Sequence, residues 1–197
     1  MVATVEMIKE LRELTGAGVL DCKEALETAG GDMDRAQQIL VEKGVARAAR
    51  RAEREAKEGL IEAYLHMGKA GALLELNCET DFVARTDEFK TLAHDLALQV
   101  VGARPQYLSA DDVPSEVVEE QKERYRAEIA ALSKPPHVVE QIVENRMEKF
   151  YADVCLLNQP FIKDEEKTVR DLINEAIATT GENIVLRRFV RMELGEE

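Results

Sequence analysis

Gly59-Leu60-Ile61-Glu62-Ala63-Tyr64-Leu65-His66-Met67-Gly68-Lys69-Ala70-Gly71-Ala72-Leu73-Leu74-Glu75-Leu76-Asn77-Cys78 is where the chain changes its period. Ile61, Ala63 and Leu65 alternate with Glu62, Tyr64 and His66; after Gly68 to Gly71, Ala72, Leu74, Leu76 and Cys78 alternate with Leu73, Glu75 and Asn77. Successive side chains of a strand point to opposite faces, so a period of two around a glycine-containing turn predicts a β-hairpin. A lone two-stranded ribbon is marginal in water. The β-rich run 184–194 is therefore expected to add a third strand.

Upstream of Gly59 the period is helical. Met7, Leu11 and Leu14 repeat at helical spacing before Thr15-Gly16-Ala17-Gly18 breaks the pattern. Cys22, Ala25, Leu26 and Ala29 form a second stripe, stopped by Gly30-Gly31. Asp32 can cap a third helix that carries Ala36, Ile39 and Leu40 and is expected to end at Gly44. Helices this short are not stable alone and must pack into one small bundle. Residues 46–57, rich in Ala, Arg and Glu, suit a solvated linker helix. The organisation expected is a three-helix domain over 1–45, a linker helix over 46–57 and a core over 58–197.

Downstream, Phe89, Leu92, Ala93, Leu96 and Val100 share one helical face, with Thr86 as a plausible cap. Two helices are expected near 114–132 and 137–154, separated by Pro135-Pro136, the second carrying Val139, Val143, Met147, Phe150 and Val154. A further helix is expected over about 168–178. The fold class predicted is α+β: three helices, a linker helix, then a three-stranded antiparallel sheet packed with helices.

Composition narrows the function. The 197 residues carry a net charge of −13, unlike a general phosphate-backbone binder, which gains affinity through clustered Lys and Arg. Arg47, Arg50, Arg51 and Arg54 could make a basic nucleic-acid helix, but Glu53 and Glu55 interrupt them and no aromatic accompanies them. No apolar run reaches the length of a membrane span and the first residues lack a signal segment, so a cytoplasmic protein is expected. Cys22, Cys78 and Cys155 are odd in number and widely spaced, which suggests neither a disulfide framework nor a zinc site. His66, His94 and His137 have no partner at metal-ligand spacing, and no Walker, GxGxxG or GxSxG motif occurs. No catalytic residue, metal or cofactor is expected. An enzyme would have to rest on Cys78, which falls on the apolar face of its strand.

The segment Asn77-Cys78-Glu79-Thr80-Asp81-Phe82-Val83-Ala84-Arg85 lies where a strand hands over to a helix. Thr80 can cap that helix, and Asp81 suits its first turn. Two readings of Phe82 stay open: a ring buried in the core, or an aromatic anchor projecting from the rim beside Asp81.

The chain resembles the bacterial elongation factor Ts family over most of its length. The opening stretch Ile8-Lys9-Glu10-Leu11-Arg12-Glu13-Leu14-Thr15-Gly16-Ala17-Gly18-Val19-Leu20-Asp21-Cys22-Lys23-Glu24-Ala25-Leu26 and the segment Asn77 to Arg85 are similar to two family signatures in the correct order. Gln159-Pro160-Phe161, Gly181-Glu182-Asn183-Ile184 and Arg187-Arg188 match later segments. Members often carry two Met where this chain has Val19-Leu20, a conservative departure. The resemblance implies a ubiquitin-associated-like N-terminal domain and a partner, the GTPase elongation factor Tu. It implies that Thr80, Asp81, Phe82 and Val83 wedge between helices of that partner and displace its magnesium, and that Arg12, Val19 and Leu20 help dock the N-terminal domain. It also implies GDP release as the outcome, with no covalent chemistry. A single core matches the short form of the family, associated with homodimers. The rival expectation is an interaction protein that uses the three-helix module on another translation partner without promoting nucleotide release.

Overall fold

The computed structural model describes residues 3–130 and 135–196. The order is α1 (Val5–Thr15), α2 (Val19–Thr28), α3 (Met33–Arg51), β1 (Glu58–His66), β2 (Ala70–Cys78), α4 (Asp81–Ala84) and α5 (Asp87–Ala103). There follow α6 (Ser115–Ala130), α7 (Pro136–Val154), β3 (Pro160–Phe161), β4 (Asp164–Thr168), α8 (Val169–Thr180) and β5 (Val185–Glu193). The fold is α+β, with a three-stranded antiparallel sheet in the order β1-β2-β5 and a small β3-β4 ribbon. Contacts divide the chain into two compact units. One comprises Met1–Glu62, Leu74–His94 and Asp171–Arg187; the other comprises Ala63–Leu73, Asp95–Arg170 and Arg188–Glu197.

In the first unit each helix start has a local cause. Thr4 Oγ1 accepts the Met7 N–H at 3.3 Å and Asp32 Oδ1 accepts the Arg35 N–H at 2.9 Å, both satisfying orphan donors. Gly16, with φ of 66°, ends α1 in the left-handed region, and its N–H donates to the Arg12 carbonyl at 2.8 Å. Leu11, Cys22, Ala25, Leu26, Ala36 and Ile39 form the buried core of this bundle. The expected stop at Gly44 and the separate linker helix over 46–57 do not occur. α3 runs unbroken from Met33 to Arg51, and residues 52–57 are not helical. A glycine inside a helix costs about 1 kcal/mol relative to Ala, and the Ala- and Arg-rich residues after it favour continuation. A Cβ at Gly44 would meet the Ala178 Cβ of α8 at 3.7 Å, so the glycine lies where α8 comes close.

The hairpin forms as its alternation predicts. Met67 and Gly68 both take positive φ, 51° and 67°, as a two-residue hairpin loop requires, and the Lys69 N–H donates to the His66 carbonyl at 3.0 Å. At Gly59 the φ is 144°, and a Cβ there would lie 2.1 Å from the Leu76 carbonyl oxygen. Only glycine fits that approach of β1 to β2. Ala72, Leu74, Leu76 and Cys78 of β2 are buried, whereas Ile61 and Leu65 of β1 are exposed. Thr86 starts α5 by accepting the Phe89 N–H at 3.2 Å, and Phe89, Leu92, Ala93, Leu96 and Val100 are buried.

In the second unit α6 and α7 pack through Ile129, Val143 and Met147, with Tyr125, Val139 and Phe150 around them. Arg126 forks onto Glu140 at 3.0 and 3.1 Å, and the Arg146 guanidinium lies 5.4 Å from the Tyr125 ring centre. The last two residues expected in the first of these helices, 131 and 132, lie outside the described residues. Beneath β3 a pair of buried amides does what apolar packing cannot. Gln99 Nε2 donates to Gln159 Oε1 (3.2 Å) and to the Pro160 carbonyl (3.1 Å), while Gln99 Oε1 accepts the Ile162 N–H at 2.8 Å. Gln159 Nε2 donates to the Ala103 and Asp153 carbonyls at 3.1 and 3.0 Å. This network supports the β3-β4 ribbon, which the short run of residues between α7 and α8 gives no periodic signal for. Gln99→Leu leaves several of these buried groups unpaired, each costing about 1–3 kcal/mol. Equilibrium denaturant unfolding should show a loss of about 3 kcal/mol or more with an unchanged slope.

Candidate functional site

β2 ends at Cys78, and Thr80 takes the extended N-cap conformation of α4. Its Oγ1 accepts the Val83 N–H at 3.4 Å, which is the cap read from the sequence. α4 is a helix of four residues, and its two sides differ. Val83 and Ala84 are buried, whereas Phe82 is 78% exposed. Of the two readings of Phe82 the projecting ring is the one observed. Asp81 pairs with Arg85 at 2.7 Å on an exposed surface, a contact that adds little to stability and is readily given up to another partner.

The site residues expected from the resemblance divide accordingly. Thr80, Asp81 and Phe82 are at the surface, and Val83, 7% exposed, anchors α4 inward. Arg12 is exposed in the last turn of α1; Val19 and Leu20, at 55% and 75% exposure, open α2 after Gly18. Leu14, grouped by periodicity with the buried face of α1, is also exposed. The loop between α1 and α2 thus presents Leu14, Val19 and Leu20 as apolar side chains beside Arg12.

A set of hydrogen bonds from residues far away in sequence closes on the β2-α4 junction. Glu182 Oε2 accepts the Glu79 and Thr80 N–H groups at 3.1 and 3.0 Å, and Glu182 Oε1 accepts the Thr80 hydroxyl at 2.6 Å. Glu79 Oε1 accepts the Asn183 N–H at 2.7 Å and is paired with Arg54 at 3.4 Å. The buried Asn183 side chain donates to the Arg54 carbonyl at 2.7 Å. Arg51 Nη1 donates to the Ile177 carbonyl near the end of α8 at 2.8 Å. Arg51 and Arg54 are therefore engaged within the fold, while the Arg47 side chain lies outside the described residues. Glu182 and Asn183 fall in a segment similar to the family, but neither periodicity nor spacing in the sequence marks them as partners of Glu79, Thr80 and Arg54.

Among the described residues no group of His, Cys, Asp and Glu could hold a metal ion. Cys78 is buried, and burial, with the Glu182 carboxylate adding to it, pushes its thiol up to about 11. A thiol held protonated at neutral pH is a poor nucleophile.

The sequence profile described as Elongation factor TS matches residues 9–196. The chain belongs to the elongation factor Ts family. Elongation factor Ts of Thermodesulfovibrio yellowstonii is 55% identical over 100% of this chain and 98% of its own length. That of Thermotoga neapolitana is 57% identical over 100% of both chains, and that of Coprothermobacter proteolyticus 51% identical over 100% of both. Family membership makes the chain a translation elongation factor. In the described residues no helix is long and apolar enough to cross a membrane.

The thiol geometry carries a pH-dependent expectation. Because the folded Cys78 value lies above the ordinary value of 9.0, its contribution to stability is complete below pH 9 and is lost as pH rises toward 11. At pH 8 a thiol reagent should titrate Cys22, Cys78 and Cys155 only after denaturation. Rapid labelling of Cys78 in the native chain would contradict its burial.

Proposed function

We propose that the chain is a guanine-nucleotide exchange factor that binds elongation factor Tu in its GDP form, disturbs the magnesium and phosphate site and promotes GDP release in the cytoplasm. The observation that carries this reading is the exposed Phe82 ring on a capped four-residue helix, inside the segment that resembles the family signature. Phe82 enters the partner, Asp81 acts toward the magnesium site, Thr80 holds the cap, and Val83 anchors the helix. Arg12, Val19 and Leu20 dock the N-terminal domain on the same partner. No residue makes or breaks a covalent bond, and nucleic acid is not a partner.

The mechanism is linkage. A protein that favours the nucleotide-free form weakens nucleotide binding by the factor by which nucleotide weakens its own binding. A shift of ~10⁴-fold needs about 5.5 kcal/mol of differential affinity. One buried Phe supplies about 1.5–3 kcal/mol, so the loop around Val19 and Leu20 is a necessary second contact.

The chain also works as a homodimer. In the second unit Ala63, Leu65, Leu73, Val190, Met192 and Leu194 line an open groove of about 440 Å³ on the sheet. Leu65, Leu73, Val190, Met192 and Leu194 are exposed there. A sheet face of this kind needs a second layer. A second copy of the same largely apolar face, which Lys69 and Glu193 also line, is self-complementary about a two-fold axis. Leu65→Asp should give a monomer by light scattering at concentrations where the unaltered chain is a dimer. An unaltered chain that is monomeric at high micromolar concentration rejects the dimer.

Labelled GDP release from elongation factor Tu tests the main reading. Phe82→Ala should leave the thermal midpoint nearly unchanged, since a core Phe would cost about 3–5 kcal/mol, yet slow stimulated release strongly while weakening binding less. Asp81→Ala should give a separate loss that shrinks when magnesium is chelated. Binding without any stimulated release would favour the non-exchange interaction protein instead.

A further inference from the structure

α4 raises a positioning problem. Four residues are too few to hold a helical turn in water by themselves. Phe82, being exposed, gains no fixed place from packing. Two things in the first unit hold the turn: the buried Val83 and Ala84 on its inner side, and the carboxylate of Glu182 at its N-terminus. That carboxylate takes three donors from two adjacent residues, Glu79 N–H, Thr80 N–H and Thr80 hydroxyl. The same Thr80 oxygen that donates to Glu182 accepts the Val83 N–H, so the cap and the clamp share one atom. Glu182 itself follows Gly181, whose φ of 79° and N–H bond to the Ile177 carbonyl (3.0 Å) end α8. The Glu182 N–H donates to Thr180 Oγ1 at 3.3 Å, and Asn183, next in the chain, is tied to Glu79 and Arg54.

We propose that Glu182 is a positioning residue for nucleotide exchange: its carboxylate fixes the Thr80 cap and so sets the direction in which α4 presents Phe82. This rests on the exchange reading above and adds a residue that touches neither partner nor nucleotide. A charge-assisted bond is stronger than a neutral one, and a carboxylate with three donors suits a backbone that must not yield when a ring is pressed into a partner. Glutamine keeps the shape of Glu182 but is neutral: its oxygen accepts the two N–H groups without charge assistance, and its amide nitrogen cannot accept the Thr80 hydroxyl and meets it only by donating to the oxygen that also caps the Val83 N–H.

The test measures GDP release from elongation factor Tu as a function of factor concentration for the full chain, Glu182→Gln, Phe82→Ala and the double variant. Losing the charge assistance of the clamp predicts a fall of about tenfold in the maximal rate, with the half-saturating concentration nearly unchanged because the N-terminal loop still docks. In the Phe82→Ala background Glu182→Gln should produce no further fall, since the clamp acts through the ring. Amide hydrogen exchange should show faster exchange at Glu79 and Thr80 in Glu182→Gln. Thr80→Val, which removes both hydroxyl bonds, should reproduce the loss, and Thr80→Ser, which retains them, should lose less. These two carry the same test should Glu182→Gln unfold the chain. Wild-type kinetics in both Glu182→Gln and Thr80→Val, or an equal fall with and without Phe82, overturns the positioning role and leaves the exchange reading standing. Wild-type release by Phe82→Ala overturns the role of the ring and the positioning role with it, whereas no stimulation of release by the unaltered chain overturns the exchange reading.

Discussion

The pairing of β5 with β2 is the constraint on which the site depends. In an antiparallel pair the residues that precede one strand lie beside those that follow the other. β2 ends at Cys78 and β5 begins at Val185, so residues 181–184 are brought to residues 79–81. Had the last strand added to β1 instead, the residues before it would have met another part of the hairpin. Glu182 and Asn183 would then not reach Glu79 and Thr80. The sheet order therefore decides the chemistry at the β2-α4 junction before any side chain is chosen.

Within the first unit the bonds at that junction form a continuous path. Arg51 and Arg54, at and just beyond the end of α3, bond the Ile177 carbonyl and the Glu79 carboxylate; Asn183 returns to Arg54, and Glu182 closes on Thr80. The end of the helix that completes the N-terminal bundle and the turn that carries Phe82 are thus joined through polar groups with named partners: Asn183 buried, Arg51, Glu79 and Glu182 half-buried, Arg54 and Thr80 exposed. The buried Asn183 holds its position most firmly, because an unpaired polar group in a low-dielectric setting is costly. The exposed pair Asp81–Arg85 is the opposite case: it holds little and leaves Asp81 available.

Much of this was legible from periodicity and capping, and what was not has identifiable causes. The hairpin, the third strand, the Thr80, Thr86 and Asp32 caps and the buried face of α5 each depend on neighbours within a few residues, which is what a pattern records. The continuation of α3 past Gly44 was not legible because the local glycine penalty is small beside a favourable run that follows and the proximity of Ala178, residues away in α8. Leu14 was assigned to a core stripe because hydrophobic spacing cannot tell a buried position from an exposed apolar one at the edge of the same face. The roles of Glu182 and of the Gln99–Gln159 pair were invisible for a different reason. Glu182 meets Thr80 across 102 residues and Gln99 meets Gln159 across 60, and a polar side chain carries no mark of which distant donor it will meet.

Exposed apolar side chains in an acidic chain of net charge −13 are not stabilising the free protein. Val19 and Leu20 beside the glycine loop, Phe82 on α4, and Leu65, Val190 and Met192 on the sheet each leave apolar area in water that burial would stabilise at about 25 cal/mol per Å². Scattered singly they would need no explanation, but each set sits on an element whose backbone is fixed by polar bonds. Rigid backbone beneath an exposed ring or aliphatic cluster lowers the ordering cost of association, so more of the burial energy appears as affinity. For an exchange factor that matters twice over. The ring must meet the partner in one geometry to favour the nucleotide-free form over the bound one, and only that difference in affinity, not its total, moves the equilibrium. Under the proposed exchange function a flexible Phe82 would follow the partner through both forms and discriminate between them poorly, so the clamp on Thr80 would then serve the function as well as the fold.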